Sequence, residues 1–189
     1  RSQHRPTLRV GPRAASDALW SAWASTHQPR RRYDQRLYVL DDPPPGEDPP
    51  GFRRALPRDV TRLAVQAAAM EREDLGTDPR ERDPASHDQV VAERVRTGRT
   101  WVIEDGDALV FQVNIGTMHV DGAQIGGTWV PPARRGRGLS TSGVAATCRH
   151  LAEVVPRVTL HVNEANTPAV RCYERVGFRR EAAYRLVVP

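Results

Sequence analysis

The chain has 189 residues, 39% of them apolar and 27% charged, with 28 basic against 23 acidic side chains and a formal net charge of +5. Every basic residue is arginine. Without lysine there is no phosphate loop ending in Lys-Ser or Lys-Thr, no lysine Schiff base and no lysine general base, because each requires an amine.

Thr7–Val10 reads as a short strand, Ala14–Ser25 as a helix with Leu19, Trp20 and Trp23 on adjoining faces, and Leu37–Leu40 as a second strand. Residues 1–40 are too few for a core of their own, so this segment is expected to pack on the rest of the chain. From Asp41 to Gly51, five prolines and four acids remove amide donors and predict a stiff, extended linker. Residues 52–189 then read as the principal domain. Phe52–Leu56 is a strand, and Asp59 caps a helix that carries Val60, Leu63, Ala64, Ala67 and Met70 at helical spacing and ends near Gly76. A second helix is expected over Asp88–Thr97, with Val90, Val91 and Val95 inside and Gly98 as its stop.

Thr100–Glu104, Ala108–Met118 and Ala123–Val130 make a three-stranded meander joined by acidic-Gly turns. Pro131-Pro132 ends it. A glycine-rich basic segment, Arg134–Leu139, leads into a helix through Val155 whose buried stripe is Val144, Cys148, Leu151 and Val155. Val158–Val162 is a nearly all-apolar strand suited to a central position. Thr167 is the expected N-cap of a last helix, with Pro168 at its first position and Gly177 beyond its end. Phe178–Val188 supplies one closing strand, interrupted near Ala182.

Other compositional features bound the function. No apolar run reaches the roughly 18 residues of a membrane span, and the first residues lack the apolar core of a secretory signal, so a soluble, cytoplasmic chain with no membrane partner is expected. The first residue is not Met, which is consistent with a fragment. Cys148 and Cys172 are too few for a disulfide framework and lack metal-like spacing with the six His, so buried, reduced thiols and no metal site are expected. Residues 1–51 hold 8 Arg and 6 acids, and the remainder 20 and 17, so neither part is a basic tail and the footprint for nucleic acid is weak.

Chemistry concentrates in two places. In Val130-Pro131-Pro132-Ala133-Arg134-Arg135-Gly136-Arg137-Gly138-Leu139-Ser140, set between a strand and a helix, two glycines let successive amides turn into one concavity at a helix N-terminus. That describes a phosphate cradle, to which Arg135 and Arg137 would add charge, or else a plain glycine loop with solvated arginines. One strand further on lies Asn163-Glu164-Ala165-Asn166-Thr167-Pro168-Ala169-Val170-Arg171-Cys172-Tyr173-Glu174-Arg175-Val176-Gly177-Phe178.

Together these segments resemble the GCN5-related N-acetyltransferase (GNAT) superfamily. Its pattern R/Q-x-x-G-x-G/A falls on Arg135 to Ser140, and N-x-x-A-x-x-x-Y-x-x-x-G-F falls on Asn166, Ala169, Tyr173, Gly177 and Phe178. The chain also looks similar to the acetyltransferase half of a two-part bacterial GNAT subgroup. In that comparison Gly11-Pro12, the Leu37–Leu40 strand and the linker resemble the end of a preceding half whose start is absent. The resemblance covers residues 52–189 and implies an α/β (α+β) fold. Its sheet would be mixed, mostly antiparallel, flanked by helices and splayed at a central strand pair.

The resemblance further implies acetyl-CoA or another acyl-CoA as donor and a primary amine of a small molecule or peptide as acceptor. Trp129, Val130, Arg135, Gly136, Arg137, Gly138, Leu139, Ser140 and Asn166 would hold the donor. A strand amide near Val130 would face the oxyanion, and Tyr173 would meet the departing sulfur and protonate it as general acid. Read by residue alone, Tyr173 is equally a packing residue and Asn166 a helix-start residue, while Phe178 belongs to the core.

Three departures stand out. Ser140 replaces the last small residue of the cradle. Ala123–Val130 contains no Asp, Glu or His, so the general base is sought among Glu71, Glu73 and Asp74 or at His161. Only one strand follows Phe178 where the fold usually has two, so Leu37–Leu40 is expected to lend a strand to the sheet. An aminoacyl-tRNA-dependent or RNA-binding protein, and a non-catalytic CoA-binding module, remain alternatives, and the sequence leaves a homodimer open.

Overall fold

The computed structural model describes residues 9–23 and 31–188. In chain order the elements are β1 (Arg9–Pro12), α1 (Arg13–Trp23), β2 (Arg31–Leu40), β3 (Phe52–Arg54), α2 (Val60–Leu75), α3 (Pro79–Arg82), α4 (Pro84–Arg96), β4 (Thr100–Asp105), β5 (Ala108–His119), β6 (Gly122–Trp129), α5 (Leu139–Ala152), β7 (Val158–Asn163), α6 (Thr167–Val176) and β8 (Arg179–Val188). The class is α/β with mostly antiparallel strand pairing. The chain groups into two compact units, one of residues 41–158 and one that joins residues up to 40 with 159–189. Among the described residues no helix is long and apolar enough to cross a membrane.

In the unit of residues 41–158 the strands lie in the order β6-β5-β4-β3, antiparallel throughout. β5 is buried without interruption from Leu109 to Ile115, so both of its faces are covered. Ile103 pairs with Phe111 and Glu104 with Leu109, which leaves Val110 as an extra residue, a bulge that sends Leu109 and Phe111 to opposite sides. Leu109 joins Val102, Leu63 and Ala64 of α2, and Val91 and Val95 of α4 in one apolar cluster. Phe111 lies against Gly143 of α5. Each fully buried side chain of this size contributes about 1.5–3 kcal/mol.

Asp59 corrects the expectation of a simple helix cap. It makes no side-chain cap to α2. Its carboxylate faces backward and is fully buried, accepting from Arg53 Nη1 at 2.7 Å, Arg53 Nη2 at 3.1 Å, Arg62 Nη2 at 2.7 Å and the Leu56 amide at 2.8 Å. Arg53 and Arg62 also reach Glu104 of β4, at 2.7 and 3.3 Å. Burial, the largest single influence, would raise the Asp59 pKa, but the hydrogen bonds and charges of Arg53 and Arg62 and the Leu56 amide together outweigh it and hold the carboxyl at about 2.

α3 and the first turn of α4 lie outside the helix expected from the sequence, which starts at Asp88. Pro79 and Pro84 stand at helix starts, where a missing N–H leaves nothing unpaired, and the side chains of Asp78 and Asp83 cap Arg80 N at 2.9 Å and Ser86 N at 3.0 Å. Residues 42–49 contain neither helix nor strand, as a proline-rich linker should, yet two of the linker's four acids are engaged through their side chains. Asp48 accepts from Arg149 Nη2 at 3.1 Å and meets His150 Nε2 at 2.7 Å, and Asp41 accepts from Arg157 Nε at 2.8 Å.

In the other unit the order is β1-β8-β2-β7. β8 pairs antiparallel with β1 on one side and along the length of β2 on the other. The Leu37–Leu40 strand therefore exists and begins earlier, at Arg31. A register shift leaves Glu181 opposite no β2 residue, which accounts for the interruption expected near Ala182. Trp20 of α1 is buried, as is Tyr38, whose hydroxyl donates to Glu174 Oε1 of α6 at 2.9 Å. Thr7, Leu8, Ala24 and Ser25 of the expected elements, and the Trp23 side chain, lie outside the described residues. Cys148 and Cys172 are both buried, and burial pushes the Cys148 thiol up to about 12.

Because the folded pKa of Asp59 is depressed, its stabilisation is present above the unfolded value near 4 and is lost as pH falls toward 2. Asp59→Asn is expected to cost about 2 kcal/mol in urea unfolding at pH 7. The gap from wild type should close as pH approaches 2. A gap that persists unchanged at pH 2 would contradict the depressed carboxyl.

Candidate functional site

The cradle is built by backbone conformation. β6 ends at Trp129, a single 3-10 turn follows over Pro132–Arg134, and the chain reaches α5 through Gly136 at φ +75° and Gly138 at φ +78°. A side chain placed at either glycine would meet no atom within 4 Å, so what glycine supplies is the left-handed backbone itself, not room. Gly138 is the N-cap of α5 and offers no capping side chain, which leaves first-turn amides directed outward with the positive end of the helix dipole behind them. Leu139 and Ser140 open that turn.

The two arginines of the cradle differ. Arg137 is exposed and has no ion-pair partner among the described residues. Arg135 is engaged on three sides: its Nε donates to the Val130 carbonyl at 3.0 Å, its Nη1 and Nη2 donate to the two Glu73 oxygens at 2.9 Å each, and its guanidinium carbon lies 4.6 Å from the centre of the Trp129 ring. Trp129 and Val130 are buried.

β6 carries a second feature that the sequence reading missed. Gln112 pairs with Trp129 and Asn114 with Gly126, so two residues of β6, Gly127 and Thr128, stand opposite the single residue Val113 of β5, with Gly127 at φ +61°. This is a glycine bulge two residues before the strand ends. A side chain at Gly127 would fall 2.5 Å from Asn114 Nδ2, whose amide is itself held by the Thr100 hydroxyl donating to Asn114 Oδ1 at 2.8 Å. The signal was the Gly126-Gly127 pair inside a strand pattern.

Among the acids at the end of α2, Glu71 accepts from the Thr77 hydroxyl at 3.3 Å and Glu73 is taken by Arg135. The Asp74 carboxyl is held above its ordinary value by lost hydration and by the charge of Glu73, against the pull of Arg135. Its outer surface is exposed, so crowding by neighbours is incomplete and solvent weakens the first of these causes.

The second motif lies in the unit containing residues 159–189. The N-cap of α6 is Asn166, one residue earlier than expected; its Oδ1 accepts from Ala169 N at 3.2 Å, and Thr167 is the first helical residue. Tyr173 is buried, its ring set edge-on to Phe178 at 5.9 Å, and the Phe178 amide donates to the Tyr173 carbonyl at 3.0 Å. His161 of β7 is half-buried, its ring centre 4.5 Å from that of Tyr184, and burial lowers its pKa, which favours the neutral imidazole.

A model described as the acetyltransferase (GNAT) family matches residues 65–178. The chain is 38% identical over 84 residues to a protein named mycothiol acetyltransferase of Streptosporangium roseum, covering 44% of this chain and 23% of that one. A protein of the same name from Thermobispora bispora is 38% identical over 101 residues, covering 52% and 31%. The chain thus spans about a quarter to a third of the length of these relatives. Among solved structures, a GNAT-family acetyltransferase from Novosphingobium aromaticivorans aligns at TM-score 0.65 and 22% identity over 98% of this chain and 68% of its own. One from Colwellia psychrerythraea aligns at 0.69 and 13% over 96% and 64%. At these identities the structures report the fold.

Gly127→Ala should destabilise the protein by about 2 kcal/mol through its left-handed backbone and the crowding of Asn114. Gly126→Ala, with open space and no left-handed backbone, should stay within about 0.5 kcal/mol of wild type by the same urea measurement. Equal costs at the two positions would contradict the bulge.

Proposed function

The chain belongs to the acetyltransferase (GNAT) family, and on that premise we propose that it is an acetyl-CoA-dependent N-acetyltransferase acting on a primary amine of a small molecule or peptide. The observation that carries this reading is the cradle: left-handed Gly136 and Gly138 ahead of an α5 N-terminus without a capping side chain, with Arg137 beside it. A pyrophosphate suits such a site, because outward amides, a helix dipole and a guanidinium all favour negative charge. Between the two arginines, Arg137 is the one left to meet an anion.

The thioester of the donor supplies an activated acyl carbon. In the proposed reaction the acceptor nitrogen attacks that carbon, the carbon–sulfur bond breaks, and the thiolate takes a proton. Backbone amides freed around the Gly127 bulge and Val130 are proposed to stabilise the oxyanion. Tyr173 is proposed as the proton donor to sulfur, supported by its place in the motif and its burial on α6. His161 is proposed as the base, since an imidazole kept neutral by burial can accept the proton that the acceptor ammonium must lose before its nitrogen can attack.

Acceptors would be screened by release of CoA thiol, with amines, amino acids, aminoglycosides, peptides and, because two relatives bear that name, mycothiol-type compounds. Turnover with one of them is expected. CoA binding without thiol release from any amine would instead indicate a non-catalytic module, and tight, steeply salt-dependent RNA binding with weak CoA binding would indicate a nucleic-acid reader. Tyr173→Phe should lower kcat by about 10²-fold or more, and unchanged turnover at every pH would remove Tyr173 as the acid. His161→Gln should abolish the acidic limb of the pH profile, which in the wild type falls below pH 6.5 because the folded pKa is lowered.

Arg137→Ala should raise the Kd for CoA about three- to tenfold at low salt, with the difference shrinking as salt is added. A salt-independent or absent effect would show that Arg137 does not face the anion.

A further inference from the structure

We infer that Glu73 and Arg135 form a positioning clamp that sets the path of the chain from the end of β6 into the cradle, so that Glu73 acts on donor affinity and not as a base. This inference deepens the acetyltransferase reading and rests on it. The motif makes Arg135 a phosphate ligand, and its place among the acids at the end of α2 makes Glu73 a candidate base. The geometry assigns both side chains elsewhere.

Three contacts converge on one guanidinium. Its Nε edge donates to the Val130 carbonyl at the exit of β6, its two terminal nitrogens grip both oxygens of Glu73 at 2.9 Å, and its plane lies over the Trp129 ring. Arg135 itself is the residue before Gly136, with its amide donating to the Pro132 carbonyl at 3.3 Å. The side chain of the cradle's first residue is thereby tied back to the strand that precedes it and outward to the last turn of α2. Bidentate geometry fixes orientation as well as distance, which a single-point contact would not.

As a surface ion pair the contact adds little to global stability. Both partners are partly exposed. Its consequence is local, because the two glycines that follow have no side chains to hold their conformation, and an unclamped Arg135 would leave Val130 through Gly138 free to sample other backbone states before a ligand arrives. Ordering those residues would then be charged against binding.

Glu73→Gln removes the charge and the bidentate grip while keeping the shape. It is expected to raise the Kd for CoA and the KM for acetyl-CoA together, about three- to tenfold, with kcat and the pH profile retained. Amide hydrogen exchange of residues 133–140 in the free protein should quicken, and that of the α5 interior should not. Arg135→Lys should reproduce both effects, since an ammonium cannot bridge Glu73 and the Val130 carbonyl in the same way. Glu153→Gln, the same change of charge at an exposed position past the end of α5, serves as the control and should alter none of these quantities.

A fall in kcat with loss of the acidic limb and unchanged CoA affinity would make Glu73 the base and overturn the clamp. Unchanged Kd and unchanged exchange in Glu73→Gln would overturn it as well. If the wild type binds no CoA, the acetyltransferase reading fails by itself, and the exchange measurement still decides whether the pair orders the cradle.

Discussion

A carboxylate without access to water organises the unit of residues 41–158. Asp59 receives four hydrogen bonds, from two arginines and one backbone amide, and those arginines continue to Glu104. A buried charge is tolerated only when its donors are all in place, so the network specifies how β3, the turn before α2 and β4 meet. α2, sixteen residues long, departs from this point, and its last turn brings Glu73 to Arg135. The helix therefore acts as a rigid spacer, about 24 Å long at 1.5 Å per residue, between a structural anchor and the cradle.

The cradle itself shows a division of labour between two similar residues. Arg135 and Arg137 are both basic, lie two apart and flank the same glycine, yet one is bound to strand, helix and ring while the other faces solvent. The β6 bulge adds a related device upstream, since Gly127 and Asn114 pack so closely that no side chain fits between them.

The unit holding the second motif depends on pairing between distant parts of the chain. β8 is flanked on both sides by strands from before residue 41, and Tyr38 of β2 bonds to Glu174, the residue after Tyr173. The segment that is too small for a core of its own is thus part of the scaffold that carries α6. That pairing also answers the apparent shortage of closing strands after Phe178.

Local chemistry was legible because it is local. Helix stops at Gly76 and Gly177, the left-handed glycines of the cradle, the meander and the Asn166–Phe178 pattern all follow from sterics and hydrogen bonding within a few residues. The paired patterns sufficed to recognise the family. The short helix at Pro79, the backward-facing Asp59 and the bulge at Gly127 were hidden, for different reasons: proline reads as a breaker unless its helix position is known, and a cap and a buried ion pair use the same residue type. What only the tertiary structure decided was the employment of charges. Glu73 and Arg135 are 62 positions apart, and Arg53 and Glu104 are 51 apart. Neither pairing leaves a trace in its own neighbourhood, because an ion pair is selected by where two backbones bring their side chains. The sequence determined that the left-handed glycine loop would form; the direction of α2 decided which of its arginines was drawn into an ion pair and which was left in solvent.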